Sequence, residues 1–220
     1  MKWLPLIAMI CLIAGIFFTG YGITYKSEGE APPAEGAMRE SLAKYDKFTV
    51  RDPSNVTAWV NKGMLHQQLG EYTEADRAYN KALELEPNSA VVWLNKGVIR
   101  HTQGNLSEAV LLYDIGIGID AKNPLLWANR GRALVVLGRY NEALQSYNQA
   151  LALDPSLAAT AKDKGDLLKN FGYYDDALAA YTMAFNTSPD NLEFALAKAD
   201  LEKETGRYHE ALASYERILA

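Results

Sequence analysis

The sequence predicts an all-α fold built from repeated pairs of helices, and its self-similarity is the main reason. Shifting the sequence by 34 residues places Trp59 over Trp93 and Trp127. The same shift aligns four columns of small and aromatic residues. A period of this length is typical of helix pairs that stack on their neighbours. The four columns are Gly63, Gly97, Gly131 and Gly165; Gly70, Gly104, Gly138, Gly172 and Gly206; Ala75, Ala109, Ala143, Ala177 and Ala211; and Tyr79, Tyr113, Tyr147, Tyr181 and Tyr215.

Each repeat also carries signals that begin and end two helices. Gly70 and its equivalents lie where a first helix should end, because a positive φ is cheap only for glycine. Pro87, Pro155 and Pro189 should stop the second helix. We expect the second helices to be capped by side-chain oxygens that accept hydrogen bonds from free N–H groups. The expected caps are Thr73, Ser107, Asn141 and Asp175.

The order of these residues within one unit identifies the repeat type. Residues 58–89, AWVNKGMLHQQLGEYTEADRAYNKALELEPNS, contain Trp, Gly, Gly-x-Tyr, Ala, an aromatic residue, Ala and Pro in turn. This pattern resembles the tetratricopeptide repeat (TPR) family. The resemblance covers residues 37–220 and implies an α-α solenoid, a TPR superhelix of one half repeat plus about five repeats. The repeats are expected at about 37–55, 56–89, 90–123, 124–157, 158–191 and 192–220.

A transmembrane helix or signal anchor is predicted over residues 1–25. The run Trp3–Tyr25 has no charged residue over 23 positions, and as a helix it would rise about 35 Å, enough to cross a hydrocarbon core of about 30 Å. Residues 26–36 have the composition of a linker. A cleaved secretory signal is the alternative, and both interpretations place the repeats outside the cytoplasm. The sequons at Asn55, Asn105 and Asn186 add modest support for that location.

Composition argues against nucleic-acid binding and catalysis. The formal charge of −5 and the pI near 5.3 are unsuited to a basic nucleic-acid surface. No nucleophile elbow, Walker loop or Cys-x-x-Cys is present, so we expect no enzyme activity and no cofactor. Cys11 is the single cysteine. His66 and His101 fall near one level of adjacent first helices, but no third ligand is evident, so no metal site is predicted.

The TPR resemblance implies a partner-binding groove lined by the first helices, in which a recurring Asn can hydrogen-bond a peptide backbone. The alternative is that some of the predicted apolar groove residues only pack between helices. In the fourth and fifth repeats, the neighbouring groove positions are charged, at Lys162, Asp166, Lys169, Asp200 and Lys203. Only Asn95 fits the carboxylate clamp of chaperone-binding members, so that clamp is not expected. The predicted groove residues are Asn61, Asn95, Asn129, Val60, Met64, Leu94, Val98, Ala128 and Arg132.

These observations predict a membrane-tethered scaffold that binds a peptide or helix of a partner protein. One alternative is a secreted adaptor. Another is self-assembly through the last repeat, where Ile218 and Leu219 would leave an apolar surface exposed.

The stretch YDIGIGID at 113–120 alternates like a strand, but it aligns with the end of a second helix. Gly116 stands where other repeats have Ala, and Gly118 is a second glycine two residues later. Each glycine should weaken a helix by about 1 kcal/mol relative to alanine. We therefore predict that this turn frays before its counterparts.

Overall fold

The computed structural model describes residues 16–18, 23–25 and 33–219 of the chain. Within these ranges the structure is dominated by α-helices separated by short turns. The helices are α1 (Pro33–Arg51), α2 (Val56–Gln68), α3 (Tyr72–Leu85), α4 (Ala90–Thr102), α5 (Leu106–Ile119), α6 (Pro124–Val136), α7 (Tyr140–Leu153), α8 (Ala158–Asn170), α9 (Tyr174–Thr187), α10 (Leu192–Glu204) and α11 (Tyr208–Leu219).

The chain divides into two compact units, Met1–Pro87 and Asn88–Ala220. In the first unit, α2 packs on both α1 and α3. In the second unit, helices pair as α4 with α5, α6 with α7, α8 with α9 and α10 with α11. Helix α6 also contacts both α4 and α8, so the first helices of three successive pairs lie side by side.

The helices recur with the period seen in the sequence. The predicted all-α repeat architecture is confirmed. Helix α1 begins at Pro33, inside the segment expected to be a linker. The first helices of the five pairs begin at Val56, Ala90, Pro124, Ala158 and Leu192.

The turn inside each pair depends on one glycine. After α2, Gly70 adopts φ +74° and donates its N–H to the Gln67 carbonyl at 3.0 Å. The next N–H, of Glu71, reaches back to the His66 carbonyl at 2.8 Å. These bonds satisfy carbonyls at the helix end, in a conformation that is costly for residues with a Cβ. The predicted turn is confirmed, because the equivalent glycines have φ between +73° and +79°.

The capping prediction is wrong for the second helices. The N-cap of α3 is Glu71, the residue directly after the turn glycine, so Thr73 is the second residue of the helix. The other three expected caps have equivalent positions inside their first turns. No side-chain cap hydrogen bond forms at these four helix starts. Caps occur instead on first helices, where Asn55 Oδ1 accepts the Ala58 N–H at 2.9 Å. Asn123 and Asn191 cap α6 and α10 in the same way.

A second set of glycines lets the two helices of each pair approach closely. A Cβ on Gly63 would lie 2.5 Å from Cε1 of Tyr79, which is fully buried. Because real contacts of that kind do not occur, only glycine fits beneath this ring. The same clash would arise at 2.4–2.6 Å for Gly97, Gly131 and Gly165 against Tyr113, Tyr147 and Tyr181.

One arginine joins successive pairs in the second unit. Arg130 of α6 places Nε 2.7 Å from Asp114 Oδ1 in α5. Its Nη1 donates to Ser146 Oγ of α7 at 2.8 Å, and Ser146 in turn donates to the Glu142 carbonyl. Arg130 therefore contacts helices on both sides of its own.

The described residues near the N-terminus form strands rather than the predicted helix. Ile16–Phe18 (β1) pairs antiparallel with Ile23–Tyr25 (β2), and Ile16 lies opposite Tyr25. Both segments consist of β-branched and aromatic residues, which favour strands. The remainder of the predicted span in residues 1–25 lies outside the described residues. Among the described residues, no helix combines the length and hydrophobicity that membrane crossing requires.

Candidate partner-binding cleft

A cleft of about 570 Å³ lies along the first helices of the second unit. We call it the cleft. It is positioned by the side-by-side contacts of α4, α6 and α8, with further residues from α7. Its lining mixes polar, charged and apolar side chains: His101, Arg132, Val135, Val136, Tyr140, Tyr147, Asp163, Asp166, Leu167, Asn170 and Phe171.

An ion pair joins two helices on the cleft wall. Arg132 Nε in α6 lies 2.7 Å from Asp163 Oδ2 in α8, and both side chains are partly exposed. Tyr147 also lines the cleft. Burial, and then the negative charge of Asp163, raise the pKa of the Tyr147 phenol, so it stays protonated and neutral.

Helix α4 presents two buried polar atoms that no described residue contacts by a hydrogen bond. These atoms, His101 Nε2 and Asn95 Nδ2, are both inaccessible to solvent. Burial, and then the positive charge of Arg132, lower the pKa of His101, so its imidazole is neutral near pH 7. Buried polar atoms in native proteins are normally satisfied, and an unsatisfied one costs stability. These two atoms are therefore candidates for contacts with a bound segment.

The mouth of the cleft carries exposed aromatic and aliphatic side chains. Tyr140 and Phe171 meet edge to face, with ring centroids 5.1 Å apart. Their exposed fractions are 41% and 50%, and that of neighbouring Val136 is 65%. We call these three residues the lip. Large apolar side chains exposed together at a concave site are typical of interaction surfaces.

A second concavity of about 530 Å³, lined by α8, α9 and α10, shares Asp166 and Asn170 with the cleft. We call it the charged section. Lys162 Nζ lies 3.0 Å from Asp166 Oδ2 and 2.7 Å from Glu193 Oε1. Asp200 lines the same space. Because they share Asp166 and Asn170, we treat the cleft and the charged section as one trough. Along this trough the side chains change from apolar to charged in the later repeats, as the sequence indicated.

Family models for the tetratricopeptide repeat match residues 56–89, 78–110, 124–157 and 162–220, which together make up more than half of the chain. The chain belongs to the tetratricopeptide repeat family. This confirms the resemblance seen in the sequence. A search of curated proteins finds no match.

Solved structures share the TPR fold at low sequence identity. Pseudomonas aeruginosa pilF is 21% identical, with a TM-score of 0.73 and coverage of 82% of each chain. PilW, a type IV pilus biogenesis factor, is 18% identical, with a TM-score of 0.70 and coverage of 86% of this chain and 93% of its own. YrrB, described as a TPR protein with an unusual peptide-binding site, is 20% identical, with a TM-score of 0.61 and coverage of 80% and 90%.

The predicted groove residues of this TPR array have different surroundings. Arg132 lines the cleft, and Asn95 supplies one of the unpartnered atoms. Asn129 donates instead to the Leu125 carbonyl of its own helix, at 2.8 Å. Leu94 and Ala128 are only 8% and 1% exposed, so both are used in helix packing.

Four other predicted positions have intermediate or high exposure. Val98 is partly buried against the core of the second unit. In the first unit, Val60 and Asn61 have intermediate exposure, and Met64 is exposed. The binding role of the predicted set stays a prediction.

The two histidines considered as metal ligands have different environments. His66 Nδ1 lies 2.7 Å from Glu71 Oε2, and Glu71 also accepts from Arg39 at 3.0 Å. Within the described residues, no group of three or more His, Cys, Asp or Glu side chains could hold a metal ion. His101 belongs to the cleft.

The two aromatic residues of the lip were not predicted from the sequence. A signal was present, because Tyr140 belongs to a column of mostly aromatic residues at the start of second helices, with Tyr72, Tyr174 and Tyr208. Phe171 lies outside that column, directly before a turn glycine. Its contact with Tyr140 depends on the stacking of two repeats, which spacing within one repeat does not reveal.

Proposed function

We propose that this TPR protein is a binding scaffold rather than an enzyme, and that the cleft takes up an extended or helical segment of a partner protein. One observation carries the proposal: two buried polar atoms on a helix that borders an otherwise formed cleft, His101 Nε2 and Asn95 Nδ2, have no hydrogen-bond partner in the part of the chain that the structure describes. A peptide backbone offers alternating donors and acceptors, which suits an amide and a neutral imidazole. The peptide-binding site named for YrrB lends support by analogy.

The lip supplies the apolar part of the proposed interface. Tyr140 and Phe171 are rigid aromatic side chains that lose little conformational entropy on binding. An apolar side chain of the partner would be desolvated against them and Val136. The bound segment would then be fixed by apolar contact at the lip and by main-chain hydrogen bonds to His101 in the cleft and to Asn95 on the same helix.

Site-specific crosslinking in the native cell tests the location. A photoactivatable phenylalanine analogue at Val136, in the full chain, should give a discrete adduct with a partner. The matched control is Leu111, which is similarly exposed but lies on α5 outside the cleft. An adduct of equal yield from Leu111 would contradict the cleft as the binding site.

Substitution tests the chemistry. Replacing Asn95 and Val98 together with Arg and Glu should abolish the Val136 adduct while circular dichroism shows unchanged helicity. Because Val98 is partly buried, His101→Ala serves as a second variant with less risk to the fold. If both variants retain the full adduct yield, the segment does not enter the cleft.

Self-assembly is a second candidate function, favoured by exposed apolar side chains on α11. Tyr208 and Leu212 are both highly exposed on this helix. Light scattering of the full chain with and without Leu212→Glu is the test. A monomer at tens of micromolar would exclude self-association with a dissociation constant in or below about the micromolar range.

Membrane attachment, with the array outside the cytoplasm, is a separate proposal that rests on the uncharged run Trp3–Tyr25. A secreted protein released by cleavage is the alternative. Full-length protein should resist carbonate extraction from native membranes, and a variant without residues 1–25 should not. Recovery of the full chain in the carbonate supernatant would overturn attachment.

A further inference from the structure

The charge balance of the trough indicates what kind of segment it would accept. Together, the cleft and the charged section are lined by four carboxylates and three cations, so carboxylates exceed cations by one. The chain as a whole also carries a formal charge of −5. A trough of this sign attracts basic segments and disfavours acidic ones.

The three cations are already engaged by carboxylates of the same chain. Arg132 pairs with Asp163 at 2.7 Å, and Lys162 bridges two carboxylates at 2.7 and 3.0 Å. Lys169 Nζ lies 2.8 Å from Glu204 Oε2. An acidic ligand would have to displace these pairs, whereas a basic ligand would not.

Asp200 differs from its equivalent one repeat earlier. In α8, Asp166 accepts the Tyr181 hydroxyl on Oδ1 and the Lys162 ammonium on Oδ2. In α10, Asp200 accepts the Tyr215 hydroxyl on Oδ1 in the same manner. The residue at the Lys162 position is Leu196, however, and Asp200 forms no ion pair with any described residue. The hydrogen bond between Asp and Tyr is therefore repeated in α10, but the lysine that pairs with the carboxylate in α8 has no counterpart there.

We propose that the segment bound by this TPR array carries a Lys or Arg whose charged group pairs with Asp200. Leu196, which is exposed beside it in the charged section, contacts the aliphatic stem of that side chain. An apolar residue elsewhere in the same segment occupies the lip. The occupant is thus a basic, partly apolar segment of a partner protein, and this inference rests on the proposed binding function of the cleft.

Peptide selection tests the proposal without a known partner. Random 12-residue peptides displayed on phage are selected against the purified full chain. The selected sequences should be enriched in Lys or Arg together with aliphatic or aromatic residues. A synthetic peptide of the consensus then serves as the probe in a fluorescence-anisotropy titration.

Asp200→Asn keeps the shape and the Tyr215 hydrogen bond but removes the charge. It should weaken binding of the probe by roughly 3- to 5-fold, because Asp200 is exposed and solvent screens an ion pair at such a site. Asp190→Asn is the matched control, because Asp190 lies in the turn before α10 and lines neither concavity. Replacing the basic residue of the peptide by norleucine should cost as much, and Asp200→Asn should then add nothing.

The outcomes separate this inference from the proposed function. Selection of acidic peptides, or equal binding by Asp200→Asn and the parent, would overturn the basic-segment inference while leaving cleft binding intact. Selected peptides that bind both His101→Ala and Asn95→Arg/Val98→Glu as well as the parent would overturn the cleft itself. An Asp200-dependent dimer with no selected peptide would show that the occupant is a second copy, which contradicts the proposal.

Discussion

Helices α5 and α7 occupy the same place in successive repeats, have 14 residues each and end at equivalent positions. They differ near the end, where α5 has Gly116 and Gly118 and α7 has Ala150 and Ala152. By propensity alone, these two glycines cost α5 about 2 kcal/mol relative to the two alanines of α7. Yet both helices continue for the same length, so local propensity does not set where they end.

The structure gives the two glycines of α5 different roles. A Cβ on Gly116 would lie 2.6 Å from Cδ2 of Leu126, a fully buried residue of α6. In the next repeat the equivalents are Ala150 and the smaller Thr160, both buried. A smaller residue on one helix is thus matched by a larger one on the next. Gly118 has no described neighbour within 4 Å of such a Cβ, so its cost is not offset by packing.

The largest expected effect comes from truncating Leu126, which packs against Gly116. Leu126→Ala should lower the free energy of unfolding by about 2–5 kcal/mol, because it leaves a cavity beside Gly116. Thr160→Ala, the matched change beside Ala150, removes fewer atoms and should cost less. Urea unfolding of both variants measures the difference, and equal losses would remove the contrast between the two repeats.

The next largest effect comes from adding a methyl group at Gly116. Gly116→Ala should lower the free energy of unfolding by about 1–3 kcal/mol, because the new methyl group overpacks the site against Leu126. Adding Leu126→Thr recreates the pair found in the next repeat and should recover part of that loss. If Gly116→Ala alone stabilised the protein, propensity and not packing would govern this position.

Gly118→Ala tests the glycine without a packing role. It should raise the free energy of unfolding by about 0.5–1 kcal/mol, through the lower entropy of the unfolded chain and better helix propensity. Gly116→Ala and Gly118→Ala should therefore shift the urea midpoint in opposite directions. A shift in the same direction would show that the Leu126 contact is not decisive.

The last effect is local and concerns opening of the helix end. Amides of residues 115–121 should exchange with solvent roughly 5-fold faster than those of 149–155, which corresponds to about 1 kcal/mol. Gly118→Ala should reduce this difference. Equal protection of the two segments in the parent protein would show that α5 does not fray first.

Features decided by one residue could be predicted from the sequence. The positive φ at Gly70 follows from glycine chemistry, and the contact between Gly63 and Tyr79 follows from paired small and large columns. The helix starts were harder, since the turn places Glu71 before α3 and leaves Thr73 inside it. At the N-terminus, an apolar run suits a helix or a strand by composition, and periodicity alone did not distinguish them.

The site was predicted less well, because a helix face is defined by its neighbours. Leu94 and Ala128 fit a groove by spacing, but rotation of about 100° per residue separates a core position from an exposed one. Both lie on the core side. The unpartnered atoms of Asn95 and His101 and the missing cation beside Asp200 became visible only from contacts across helices.

Arg130 bears on folding cooperativity. Its guanidinium is shared by Asp114 of α5 and Ser146 of α7, so unfolding either helix leaves it without one of its partners. In stacked arrays, the strength of such junctions relative to the repeats themselves determines how many repeats unfold together. We therefore expect α5, α6 and α7 to melt as one block that spans two repeats.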